Sequence, residues 1–238
     1  MKTELHPANE RGFTVLDWLE TYHSFSFSTY FNPAREQFGC LRVVNDDKIA
    51  GGAGFDLHPH NNMEIITLML KGELEHSDSM GNTQVIGQGE VQVMSAGTGI
   101  YHAEYNHSET EDTRLFQIWI FPRQKGLKPR YDQKIFTDHT YKNNIVTLVT
   151  PDTHQQQDAL WIHQDAYISM IKSTKGHNCD YKINLPGNGL FALVIEGSCL
   201  VKDKTLKDRD AIAVTESDVV TFEPLTDSVL LFIEVPMH

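Results

Sequence analysis

Four residues offer the chemistry that this sequence is equipped to do. His58 and His60 flank Pro59, and in a later segment His102 and Glu104 flank Ala103. Both pairs are spaced i, i+2. Successive side chains of a β-strand point to opposite faces, so residues two apart share one. Two such strands side by side would converge three imidazoles and a carboxylate on a single point. That donor set suits a divalent first-row ion such as iron, manganese, nickel, copper, cobalt or zinc. It contains no thiolate, which separates it from cysteine-rich structural zinc sites.

With 12 histidines in the chain, one H-x-H pair alone is weak evidence for ligands. The surroundings strengthen it. Gly51, Gly52 and Gly54 lead into the first pair, and Gly97 and Gly99 lead into the second, so each pair is entered through a glycine-rich turn. Glu64, four residues beyond His60, begins an apolar run over 65–70 that ends at Gly72.

The elements that must position these residues read as strands. Residues 12–17, 23–31 and 41–47 alternate or are apolar, and 73–78 alternates before a hairpin-like turn at 79–82. Residues 91–94 follow a second glycine turn, and 114–121 is apolar on both faces. Short strands at roughly 8–12-residue spacing with glycine turns indicate an all-β sandwich or barrel. Residues 126–143 follow Pro122, carry Pro129, scattered charge and no strong period, and are expected to form a linker. Beyond it the β pattern restarts at 144–150, 165–171, 189–197, 211–214, 218–222 and 228–235. The expected organisation is a metal-binding domain over 1–125, a linker over 126–143 and a second β domain over 144–238. The second domain has Asn184-Leu185-Pro186-Gly187 where the first has its H-x-H pair, and is expected to lack metal ligands.

Composition excludes several classes. The formal charge of -12 disfavours direct nucleic-acid binding, which needs a positive surface. The densest basic run, Arg123, Lys125, Lys128 and Arg130, reads as a solvated connector. Cys40, Cys179 and Cys199 are too few for a disulfide framework and are expected as reduced, buried small hydrophobes. No apolar run has the roughly 18–20 residues of a membrane span, and the first residues lack the apolar core of a signal peptide. A cytoplasmic monomer is the expectation.

Longer motifs narrow the reading. Residues 51–72, the run Leu74-Glu75-His76-Ser77-Asp78-Ser79-Met80-Gly81-Asn82 and the run Ala96-Gly97-Thr98-Gly99-Ile100-Tyr101-His102-Ala103-Glu104 closely resemble the pirin family of bicupins. His23-Ser24-Phe25-Ser26-Phe27 and Phe38-Gly39-Cys40-Leu41-Arg42-Val43 fit the same family, and Trp161-Ile162-His163-Gln164-Asp165 resembles the start of the second unit in shorter bacterial members. The resemblance implies two cupin-type barrels in tandem. It places metal ligands on His58, His60, His102 and Glu104. It leaves Glu64 a supporting residue, although the spacing departs from the general cupin pattern and Gly97 stands where that pattern has proline.

The resemblance also implies an activity, the cleavage of flavonols such as quercetin by O₂ with release of carbon monoxide. Iron is the first ion to expect, and a small aromatic molecule and O₂ are the expected partners. Glu104 is then the candidate general base for the flavonol hydroxyl. Fold does not fix the substrate, so a cupin enzyme acting on another small molecule is one alternative. Members of the family from nucleated cells suggest a different role, that of an iron-dependent redox sensor with a protein partner. An apolar cavity beside the ligands separates the two, because an enzyme needs one and a sensor does not.

Overall fold

The computed structural model describes residues 1–137 and 141–237. Among these residues the regular elements are strands and short 3-10 turns. In the first half the strands are β1 (Lys2–His6), β2 (Gly12–Val15), β3 (Leu19–His23), β4 (Leu41–Ile49), β5 (Gly54–His60), β6 (Glu64–Lys71), β7 (Glu73–Asp78), β8 (Thr83–Gly87), β9 (Glu90–Ser95), β10 (Ile100–Asn106), β11 (Thr113–Ile120) and β12 (Arg130–Ile135). The second half contributes β13 (Val146–Pro151), β14 (Leu160–Ile162), β15 (Tyr167–Ser173), β16 (Cys179–Lys182), β17 (Asn188–Glu196), β18 (Cys199–Val201), β19 (Lys204–Leu206), β20 (Ala211–Thr215), β21 (Val219–Pro224) and β22 (Ser228–Pro236).

Each half is a seven-stranded sheet packed on a four-stranded one. The first pairs β12-β9-β6-β11-β4-β3-β2 with β5-β10-β7-β8, and the second pairs β1-β20-β17-β22-β15-β13-β14 with β16-β21-β18-β19. The two large sheets also meet face to face. Ile66 and Leu68 of β6, Val91 and Val93 of β9, and Phe116 and Ile118 of β11 join Phe191, Leu193, Leu231 and Ile233 in one buried core. Burial on both faces explains why 65–70 and 114–121 are nearly continuous apolar runs. Each such fully buried side chain contributes roughly 1.5–3 kcal/mol.

The alternate residues of the same strands face the interior of the first barrel, and they are layered. On β6, Ile65 belongs to one small apolar cluster with Met94 and Ile100, and Met69 belongs to another with Leu19, Ile49, Leu74 and Leu115. Between them lies Thr67. In the same register Thr67 faces Gln117 on β11 and Gln92 on β9, and Gln117 faces Asn45 on β4, which faces His23 on β3. A buried polar row therefore crosses five strands at mid-height, between two apolar layers. Among the described residues the second barrel shows no such row: Ile171, Leu190, Val194, Ile212, Val220 and Phe232 fill its interior.

Four sequence expectations change. Residues 23–31 do not continue as a strand, because β3 stops at His23. A tight turn follows, in which Phe27 and Tyr30 exchange backbone hydrogen bonds around Ser28 at φ 52°, and Ser26 Oγ binds the Asn32 backbone. The alternation there reflects loop packing. The stretch 126–143 is not a plain linker, since β12 pairs along its length with β9; as a half-buried edge strand it lacks a clean apolar period. The N-terminal strand β1 pairs with β20 and so extends the large sheet of the second barrel. Finally, half of the basic run is structural. Arg123 bridges Asp152 and Asp165, and the Arg130 guanidinium lies 3.6 Å over the Trp161 ring and donates to the Trp161 carbonyl. The three cysteines are buried and unpaired, and burial pushes each thiol up to about 12.

Candidate metal centre and its cavity

The two histidine-bearing strands pair with each other. Across β5 and β10, His102 stands directly opposite His58, and Ile100 stands opposite His60. Gly54 permits this approach, because a Cβ there would collide with the Glu104 carbonyl. The register then slips: Glu104 faces Phe55, so Asp56 and Leu57 together oppose Ala103. A bulge of this kind locally increases strand twist and re-aims side chains.

The three rings gather closely. Their centroids are 4.4 Å apart for His58 and His102, and 4.9 Å for both His58–His60 and His60–His102. One nitrogen from each lies within 4.8 Å of the others. His58 Nδ1 sits 2.7 Å from the Asp56 carbonyl; a proton donated there leaves Nε2 as the lone pair. His60 Nε2 and both nitrogens of His102 are buried with no hydrogen-bond partner. Burying unpaired imidazole nitrogen is costly, and a bound cation would satisfy these atoms. Burial, followed by the neighbouring imidazoles His102 and His58, lowers His60 to about 4. Burial and then His58 and His76 lower His102 to about 3. Both rings are therefore neutral at physiological pH, the form that coordinates a metal.

Glu104 lies on the same face of β10 as His102 and is gripped from the opposite sheet. Gln117 Nε2 donates to its Oε2 at 2.8 Å, and Gln92 Nε2 reaches its Oε1 at a longer 3.4 Å. Its carboxylate groups with His102 and with a residue the sequence reading passed over, His76, within 4.8 Å. The four expected residues thus surround one region, with Glu104 on the side of His102 rather than equidistant from all three rings. Glu64 is elsewhere: its Oε2 accepts from Ser95 Oγ at 2.6 Å, and burial raises its carboxyl.

These groups form one end of a cavity of about 380 Å³. Trp18, Leu19, Phe27, Phe55, Ile65 and Trp119 supply its apolar walls. Trp119 meets His60 edge to face at 4.9 Å, and its indole Nε1 is buried without a partner. Thr21, Asn45, Asp47 and Gln117 supply polar groups on the large-sheet side. Volumes of roughly 300–1,000 Å³ with apolar walls and few polar groups are typical of small-molecule sites.

Comparison with known proteins agrees with this fold. The pirin family model matches residues 5–120, and a model described as the quercetinase C-terminal cupin domain matches residues 147–235. A quercetin 2,3-dioxygenase from Escherichia coli K12 is 38% identical over 232 residues, which cover 98% of each chain. This chain belongs to the pirin family. A pirin-like protein from Caulobacter vibrioides is 37% identical over 96% of this chain and 97% of its own. The crystal structure of the Escherichia coli pirin YhhW in complex with nickel(II) superposes with a TM-score of 0.92 at 36% identity, covering 99% of each chain.

In this pirin two kinds of residue at the site escaped the sequence reading. His76 is wholly buried, stacks on Tyr131 at 4.7 Å and sends Nε2 to Asp78 Oδ2 at 3.1 Å, which leaves Nδ1 without a partner. Asp78 is itself held by Asn82 and Met80; burial works to raise its carboxyl, but these bonds outweigh it and the net shift is downward. His76-Ser77-Asp78 has the i, i+2 spacing used to find the other pairs, and that signal was available. The polar residues of the large sheet gave a weaker signal: Thr67, Gln92 and Gln117 are single breaks in apolar strands, and Asn45-Asp46-Asp47 reads as the turn that ends a strand, although β4 runs on through it to Ile49. Among the other histidines, His163 pairs with Asp152 at 3.1 Å in the Arg123 network.

Proposed function

We propose that this pirin is a metal-dependent dioxygenase acting on flavonols, with His58, His60, His102 and Glu104 around a divalent ion. The observation that carries the reading is the aromatic-walled cavity opening onto three imidazoles, one buried and two half-buried, and one buried carboxylate. A redox sensor would need the histidines but not the cavity. The names of the relatives support the same choice. Imidazole ligands suit iron, nickel, copper and zinc, and geometry alone does not select among them.

The chain's own residues divide the work. Trp18, Phe27, Phe55 and Trp119 offer flat apolar surface to an aromatic substrate and exclude water. Glu104 accepts the proton of the flavonol 3-hydroxyl, turning the substrate into its anion. Gln117 holds that carboxylate in place from the facing sheet. The ion, when bound, supplies a Lewis-acid and electron-transfer centre for the substrate oxygen and O₂.

The test is anaerobic reloading of metal-free protein with one ion at a time, then O₂ uptake with a flavonol panel. Uptake that needs the metal and disappears in His60→Ala supports the oxygenase. Tight metal binding with no uptake on any flavonol would overturn it. Glu104→Gln in metal-loaded protein separates the base: unchanged turnover would remove Glu104 from that role.

A further inference from the structure

The cavity has a second polar pole, joined to the histidine site through Gln117. It is built on β3, β4 and β11, where Thr21 stands opposite Asp47 in register and Asp47 stands opposite Leu115, two residues before Gln117 on the same face. Thr21, Asp47 and Gln117 are 4%, 4% and 6% exposed, and all three line the cavity. Thr21 Oγ1, Asp47 Oδ1 and Gln117 Oε1 are each buried without a well-formed hydrogen bond, the Thr21 hydroxyl lying near enough to the Asp47 carboxyl only to work against the rise that burial causes. Gln117 spends its amide N–H on Glu104, and Asn45 Oδ1 is engaged by His23 Nδ1 at 2.9 Å. Three buried oxygens without good partners, on residues that line one cavity, carry a desolvation cost that native proteins rarely tolerate without a ligand or water in place.

We infer that Thr21, Asp47 and Gln117 form a hydroxyl-binding subsite that recognises a ring hydroxyl of the substrate remote from the group presented to the histidines. This rests on the flavonol reading above and adds to it the residues that recognise the part of the substrate held away from the histidines. The chemistry fits. A phenolic O–H donates to a carboxyl, hydroxyl or amide oxygen, and the Thr21 hydroxyl can donate back. Burial raises Asp47 to about 7, so near neutrality its carboxyl is partly protonated and able to act as donor as well as acceptor. A site built to bond a hydroxyl rejects the analogue lacking it more strongly than an apolar pocket rejects an extra group.

The experiment is equilibrium binding, read by tryptophan fluorescence, of quercetin and of 3-hydroxyflavone, which lacks the other ring hydroxyls. Wild-type protein, Thr21→Val, Asp47→Leu and Asp47→Asn are compared anaerobically, so that turnover does not enter. The expected result is that wild type prefers quercetin by about 10–100-fold. Asp47→Leu abolishes that preference and leaves 3-hydroxyflavone affinity within about twofold, Thr21→Val weakens the preference, and Asp47→Asn restores much of it. Equal affinity of wild type for both flavonols, or equal loss of both in Asp47→Leu, overturns the subsite. If neither flavonol binds wild type, the flavonol reading fails by itself. Binding of resorcinol against toluene then decides the subsite: preference for resorcinol that Asp47→Leu removes upholds it, and no preference overturns it.

Discussion

Gln117 Nε2 donates to Glu104 Oε2 at 2.8 Å, joining the two sheets of the first barrel through the carboxylate next to His102. The bond fixes one oxygen of Glu104 and leaves the other to the long contact with Gln92. Groups behind a metal site orient the groups in front of it, and their removal commonly lowers affinity or activity by about 10–100-fold.

Gln117→Leu is accordingly expected to lower O₂ uptake by about 10–100-fold while the protein retains most of its metal, since all three histidines remain. It also strands a buried carboxylate oxygen, at a cost of about 1–3 kcal/mol in stability. Metal stoichiometry, turnover and thermal melts on one preparation check this. Full turnover in the variant would show that Glu104 does not depend on this bond.

The legibility of the site follows from the same geometry. His58, His60, His102 and Glu104 could be read because a period of two puts each pair on one face whatever the partner strand. Their meeting depends on the register of β5 against β10 and on the bulge at Ala103, which no local pattern encodes. Thr21, Asp47 and Gln117 were invisible for that reason: polar residues on three strands, Asp47 among the turn-type neighbours Asn45 and Asp46, become a cluster only through cross-strand pairing. The all-β class and the tandem repeat were legible from turn spacing. The exchange of β1 onto the second barrel was not, because a short alternating strand fits any free sheet edge.

The second barrel keeps a buried carboxylate for shape. Glu234 is wholly buried on β22 and accepts from Tyr181 Oη, from the backbone N–H groups of Asn184 and Leu185, and from the amides of Asn184 and Asn188. It ties down the loop that stands where the first barrel has its histidine pair. Glu234→Ala strands several buried donors at once, and the expected loss is more than about 3 kcal/mol. A denaturant titration measures it; a change below about 1 kcal/mol would mean that water replaces the carboxylate without penalty.

His6 gives the fold an acid-sensitive joint. It lies on β1 between Phe25 and Phe191 in the core that unites the barrels, with Nδ1 unpartnered. Burial, then the Arg35 charge, lowers it to about 4. The unfolded chain takes up its proton near 6.5 while the folded protein resists until about 4. Stability from this group is therefore complete above 6.5 and falls as pH drops, by about 1.4 kcal/mol per pH unit. Melting temperature against pH, compared with His6→Leu, should show the wild-type profile falling more steeply over that window. Parallel profiles would place the acid sensitivity elsewhere.

Asp47 acts with the opposite sign. Burial raises its carboxyl to about 7; the Thr21 hydroxyl opposes this, while the Asp46 and Glu104 charges add to it. Asp46 is paired with Arg11 and Arg209, so its repulsion is partly offset. Below about 3.8 the folded and unfolded chains both carry the proton, and the group is neutral in its effect. Between there and 7 the folded protein holds a proton that the unfolded chain has released, so raising the pH costs about 1.4 kcal/mol per unit. Asp47→Asn keeps the shape and removes the titration. Relative to wild type the variant should gain stability progressively from pH 4 to pH 7 and then level off. A difference that stays constant across that range would mean that Asp47 is already ionised in the folded protein, and that its unpartnered oxygen is held as an anion.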